Sequence, residues 1–145
     1  MKVWMLAGAL SLLAGSAVAG DWRVVSYDAD DGFVLDISGL SSVGPKKTGW
    51  TAIVHQTRTE GSDYIMVRME WDCSAETRRG LAFVGYADGQ QTHASHDESP
   101  AQSVVPDTFD YDLFRAACFG EFKIPDDQGW PSVRQFMADY RDAQS

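Results

Sequence analysis

The chain is short of basic residues, of cysteine and of long apolar runs. Its 145 residues include 12 Lys and Arg against 21 Asp and Glu, a net charge of −9 with neutral His. That balance repels nucleic acid and anionic lipid, so neither is expected as a partner. It suits a basic partner or a cationic ligand, and solubility alone also accounts for it. There is no Gly-x-Ser-x-Gly elbow, no phosphate-cradling Gly loop and no internal repeat. The sequence therefore gives no support to an α/β-hydrolase nucleophile, a nucleotide-binding loop or a solenoid.

The apolar stretch that is present lies at the start. Lys2 gives a positive n-region, Val3 to Leu13 an apolar core, and Ala17-Val18-Ala19 a small-x-small site. This order is that of a secretory signal peptide over residues 1–19, cleaved between Ala19 and Gly20. A spanning helix needs about 20 apolar residues, and this stretch is shorter. No cysteine follows it to accept a lipid, so the expected product is soluble and periplasmic or secreted, with no membrane span after cleavage. Lys2 is the one charged residue removed, which leaves 11 basic and 21 acidic residues and a net charge of −10.

About 126 residues then remain, the size of one domain. Both cysteines, Cys73 and Cys118, fall in that part. An even count in an oxidising compartment favours a bridge over two free thiols, and the spacing matches no metal-ligand motif. Closing a loop of this length stabilises by about 4 kcal/mol in the chain-entropy treatment.

The hydrophobic pattern has a period of two through most of the chain. Trp22 to Tyr27 and Phe33 to Asp36 read as strands about the acidic turn Asp28 to Gly32. Residues 38–45 read as a loop or one helical turn around Leu40. Gly49 to Arg58 is a third strand, with Trp50, Ala52 and Val54 on one face and Thr51, Ile53 and His55 on the other. Tyr64 to Cys73 is the clearest, with Ile65, Val67, Met69, Trp71 and Cys73 opposed to Tyr64, Met66, Arg68, Glu70 and Asp72. This alternation predicts a half-buried antiparallel strand. Thr77 to Tyr86 follows, then an Asp88-Gly89 hairpin turn and a weakly apolar edge strand, Gln90 to Ser95.

After Pro106 the period becomes helical. Asp107 or Thr108 can cap a helix, Asp110 and Asp112 favour its first turn, and Gly120 can end it. Leu113, Phe114, Ala117 and Cys118 form its apolar face, so the bridge would fasten helix to sheet. Ile124 to Gly129 is a loop. Pro131 is placed to open a second helix with the stripe Val133, Phe136, Met137 and Tyr140, docked on its own domain. The expected fold is α+β: an antiparallel β-sheet of about six strands, a C-terminal helix fastened to one face, and a short tail helix. Its divisions are 1–19 leader, 20–120 domain and 121–145 C-terminal extension.

Chemistry-bearing clusters are sparse. The best metal candidate is His93 to Glu98 with His96, helped by His55, but His93 and His96 would point to opposite faces of a strand. The adjacent carboxylates Asp30-Asp31, Asp97-Glu98 and Asp126-Asp127 read as solvated turns. Arg78-Arg79, near Arg68, reads as a surface ion-pair cluster. The tryptophans read as core, although an exposed cluster could hold sugar or peptide. No catalytic or metal residue, cofactor or ligand-binding residue is assigned, and the chain is expected not to be an enzyme. The alternative is a small secreted hydrolase or a metal-binding envelope protein.

Three stretches, Phe33 to Ser38, Met69 to Gln90 and Val104 to Cys118, together resemble the surface-adhesin protein E family. They correspond to an early strand with its aspartate, the cysteine strand with its arginine-bearing return and Tyr86/Gly89 hairpin, and the Pro-led helix with the final cysteine. The resemblance implies an antiparallel sheet with a helix fastened by Cys73–Cys118, and a binding protein rather than an enzyme. It implies as partner an unknown protein or envelope ligand, with a host extracellular-matrix protein possible. The family's best-known members are lipid-anchored and use a basic stretch, whereas Thr57 to Asp72 here holds only Arg58 and Arg68 as bases.

Overall fold

The computed structural model describes residues 19–124 and 128–145. All but Ala19 of the expected leader over 1–19, and the Asp126-Asp127 pair, lie outside the described residues. The elements are β1 Trp22–Tyr27, β2 Asp31–Asp36, β3 Ser41–Val43, β4 Lys46–Thr59, β5 Ser62–Asp72, β6 Thr77–Ala87, β7 Gln90–Ser95, β8 Gln102–Ser103, α1 Phe109–Phe119 and α2 Val133–Gln144. All strands belong to one antiparallel sheet in the order β1-β2-β4-β5-β6-β7, with β3 on β4 and β8 on β6. The fold is α+β, as the periodicities predict.

Turn chemistry sets this meander. Asp88 and Gly89 both take positive φ (52° and 75°), the conformation of a tight two-residue hairpin turn. The predicted loop or helical turn at 38–45 is instead a further hairpin: Ser41 pairs with Thr48 and Val43 with Lys46. Gly44, with φ +58°, takes the left-handed first central position of its turn, which leaves Pro45 the ordinary one. The Gly-Pro pair that reads as loop punctuation is thus the tip of a ribbon, and β4 begins at Lys46 rather than Gly49.

The sheet buries side chains on both faces. Val25, Leu35, Met69 and Trp71 pack against Leu113, Phe114, Ala116 and Ala117 of α1. Trp22, Val24, Val34, Ala52, Val54 and Tyr64 pack against Val133, Phe136 and Tyr140 of α2. Neighbours such as Val34 and Leu35 serve opposite cores, as the pleat requires. The outer face predicted for β5 is accordingly divided along its length. Tyr64 is buried and Met66 half-buried beside α2, whereas Arg68 is exposed.

Both helices are capped by side chains. The Thr108 hydroxyl accepts from the Tyr111 N–H at 3.2 Å, and Gly120 at φ +65° ends α1. The cap of α2 is Ser132, which accepts from the Gln135 N–H at 3.2 Å. Pro131 therefore precedes the helix instead of opening it, because the Ser132 hydroxyl supplies the acceptor that the first free N–H groups need. Cys73, just past β5, is disulfide-bonded to Cys118 of α1, with Cα atoms 5.7 Å apart. The bridge fastens α1 to the sheet, and α2 covers the other face without one.

Candidate functional site

The placement of α2 defines the largest concavity on the sheet. Its C-terminal half is held by a cluster of ions. Asp63 is 6% exposed. Its Oδ1 accepts from Arg58 Nε at 3.1 Å and from Arg141 Nη2 at 3.2 Å. Its Oδ2 accepts from Arg58 Nη2 at 3.0 Å and from the Asp88 N–H at 2.9 Å. Arg58 also donates to Asp88 at 2.7 Å. Arg141 donates through Nε to the His55 carbonyl at 3.0 Å. The Arg58 guanidinium is the main cause that lowers the Asp63 carboxyl to about 2, against a desolvation that opposes it. The same bonds hold Arg58 above its ordinary value. Tyr140 adds a bond from its hydroxyl to the Asp28 carbonyl at 3.1 Å. One helix end is thus tied directly to the β1–β2 and β4–β5 hairpins, and through Asp63 to the β6–β7 turn.

At the other end, beside the first turn of α2, lies a cleft of about 550 Å³. Trp22, Tyr64, Met66 and Tyr86 line it from β1, β5 and β6. The rings of Tyr64 and Tyr86 stack with centroids 5.0 Å apart and planes at 16°. Burial, and secondarily the Tyr86 phenol, raise the Tyr64 hydroxyl above its usual value. Arg134, in the first turn of α2, lines one side, and Asp36 with Ser38 the other. Asp36 Oδ1 accepts from the Asp21 N–H and the Ser38 N–H at 3.1 Å each and from the Ser38 hydroxyl at 2.6 Å. Ala19 and Gly20, the residues flanking the predicted cleavage point, line the same cleft, where the Gly20 N–H donates to the Pro131 carbonyl at 3.0 Å.

An aromatic surface between one cation and one carboxylate is equipped for binding. Stacked rings offer flat apolar area, and the opposed charges orient a polar group of the ligand. A second concavity, of about 320 Å³ around Arg78 and Arg79, is electrostatically closed by comparison. Arg79 pairs with Glu70 at 2.9 Å and Glu98 at 3.0 Å, and Arg78 pairs with Asp110. The arginine pair is therefore an ion-pair cluster, as its acidic surroundings suggest.

Of the remaining sequence candidates, His93 sits on β7 edge-on to Phe83, at 5.5 Å between centroids, while His96 lies past the strand end. His55 is far along the sheet from them, with Nδ1 2.6 Å from Asp31 Oδ1. Among the described residues no three His, Cys, Asp or Glu side chains are placed to hold a metal ion. Trp22 and Trp71 are buried, and Trp50 and Trp130 are half-buried against the α2 core. The sequence reading does not single out Tyr64, Met66, Tyr86 or Arg134. The available signal is the apolar pair Tyr64 and Met66 on the face of β5 that also carries Arg68, Glu70 and Asp72.

The profile of Surface-adhesin protein E matches residues 22–119. No curated protein and no solved structure matches the chain. The matched span begins with β1 and ends with the last residue of α1, so it contains both cysteines and the aromatic floor of the cleft, while Arg134 and the rest of α2 lie beyond it. No described helix is long and apolar enough to cross a membrane. With well over half of its length in that match, the chain belongs to the surface-adhesin protein E family.

Proposed function

We propose that this chain is an exported, non-catalytic binding protein that seats part of its partner in the cleft beside α2. The observation that carries this reading is the cleft beside α2, in which half-buried Met66 and Tyr86 lie over the buried Tyr64 and Trp22 and Arg134 and Asp36 supply opposite charges, in a member of an adhesin family. The partner is a protein or envelope component presenting an apolar or aromatic group with an adjoining polar one. A host extracellular-matrix protein is one such partner. Export follows from the residue order of the leader, with cleavage between Ala19 and Gly20 and delivery to the periplasm or medium.

The test uses residues 20–145 immobilised and challenged with envelope and matrix-protein extracts, beside Tyr86→Ala and Arg134→Glu variants. A component retained by the parent and lost from both folded variants is the expected result. Retention that is equal on all three would overturn the assignment of the cleft. Turnover of ester, glycoside or phosphate substrates, with or without zinc, would overturn the non-catalytic reading.

A further inference from the structure

A second depression lies on the opposite flank of α2 and is chemically unlike the cleft. It has a volume of about 430 Å³ between α2 and β1. Tyr27 and half-buried Trp130 contribute accessible aromatic surface over the buried rings of Phe136 and Tyr140, and Asp139 a carboxylate. Among the described residues that line it, none is basic. Phe136 and Tyr140 stack with centroids 5.6 Å apart, and Trp130 meets Phe136 edge-on at 5.1 Å. The Trp130 Nε1–H donates to Asp139 Oδ2 at 2.8 Å, which fixes the indole while the carboxylate keeps its charge and its remaining lone pairs. Tyr27 is 56% exposed, an unusual position for a tyrosine with so much neighbouring aromatic surface.

The surroundings are negative. The turn Asp28-Ala29-Asp30-Asp31 follows Tyr27 directly. Its carboxylates reach the Tyr140 ring electrostatically: after burial, Asp28, Asp31 and Asp30 are what raise the Tyr140 hydroxyl above its ordinary value. The whole chain carries a net charge of −9, so a second copy approaching this flank would be repelled. Aromatic faces with carboxylates at their margin bind cations, because the ring quadrupole and the carboxylate both attract positive charge. A lysine or arginine side chain has the matching form, an apolar stem for the rings and a charged end for the rim.

We infer that this flank of α2 is a docking site for a basic segment of a partner protein, whose lysine or arginine side chain lies across the accessible rings of Tyr27 and Trp130 toward Asp139. This site is separate from the cleft and does not depend on it. The groove joins Val24 and Tyr27 of the matched span to α2, which lies outside it.

The experiment is a titration of the isotopically labelled chain, residues 20–145, with a hexalysine peptide, and with hexaglutamate as control, followed by amide chemical shifts. The expected result is a saturable shift centred on Tyr27, Asp139, Tyr140 and Ala143, absent with hexaglutamate. Tyr27→Ser, at an exposed position, removes one ring and should weaken binding about three- to fivefold, the range of an exposed cation–π contact. Asp139→Asn retains an acceptor for the Trp130 N–H and removes only the charge, so it should weaken binding by a similar factor and flatten the salt dependence. Shifts spread over the acidic surface without saturation would overturn the site. So would an affinity unchanged from the parent in both variants, or shifts of these residues that follow protein concentration without peptide and mark self-association. Loss of cleft binding in Tyr86→Ala with peptide binding intact would show the two sites to be independent.

Discussion

Asp63 is the residue on which the placement of α2 most depends. It is nearly buried, yet it is charged, and Arg58, Arg141 and the Asp88 N–H together satisfy its oxygens. A carboxyl lowered from 3.8 to about 2 binds its proton more weakly in the folded than in the unfolded chain. Its contribution is therefore complete above the unfolded value near 4 and is lost as pH falls toward 2. Arg58 is half exposed, and solvent screens part of the attraction, so the contribution is on the order of 1 to 2 kcal/mol. Asp63→Asn should lower unfolding stability by about that amount at pH 7. The difference between parent and variant should shrink steadily between pH 4 and pH 2. Urea titrations at several pH values give this difference directly. A gap that stays constant down to pH 2 would mean that Asp63 acts through its shape and not through its charge.

At the scale of elements, the two helices are attached by different means. The disulfide holds α1 and closes a loop with a sequence separation of 45, worth about 4 kcal/mol in the chain-entropy treatment and commonly 2 to 4 in measurement. Reduction, or a Cys73→Ala and Cys118→Ala pair, should lower stability by about 2 to 4 kcal/mol and leave the α2 cleft in place, since the cleft residues belong to the other core. Denaturation with and without reductant checks this. Helix α2 relies on Phe136, 4% exposed among Trp130, Tyr140 and the backbone of Gly32, where an added Cβ would sit 3.0 Å from the ring. Phe136→Ala should cost about 3 to 5 kcal/mol, and should detach the helix and lose both the cleft and the groove. The sequence shows these helices, the caps and the order of the main strands because each rests on a local pattern: alternation in β5, a Thr at the start of α1, the Asp-Gly turn. It does not show that both faces of the sheet are covered. Tyr64 and Met66 share a face with Arg68, Glu70 and Asp72, and a period of two cannot say that a helix from 70 residues later covers only one end of that face. The cleft was illegible for the same reason, since its floor comes from three strands and Arg134 from the tail. The Leu40 hairpin was missed because Gly-Pro marks a loop and a tight ribbon turn alike.

For the whole molecule, export and fold bear on one another at Gly20. The first residues described run beside the segment that leads into α2: the Gly20 N–H donates to the Pro131 carbonyl, and Trp22 exchanges two backbone bonds with Trp130, at 2.9 and 3.0 Å. These bonds seal the outer edge of β1, which would otherwise offer unpaired backbone groups to another chain. Cleavage after Ala19, as we propose, turns the Gly20 amide into an ammonium. That group keeps one donor for Pro131 and gains two more, on a residue whose Cβ position would stand 3.5 Å from Asp36 Oδ2. A positive chain end next to Asp36 also adds a cation to the mouth of the cleft. Processing would therefore complete the site as well as release the protein. Intact mass of the exported chain should correspond to a start at Gly20, with the two sulfurs resistant to alkylation until reduced. Replacement of Ala17 and Ala19 by arginine should leave the leader attached. Ala19 lines the cleft, and without cleavage no ammonium forms at Gly20, so the purified variant should bind the cleft partner more weakly while keeping its affinity for hexalysine at the far flank of α2. Equal partner binding by cleaved and uncleaved chains would show that the mature end plays no part in the site.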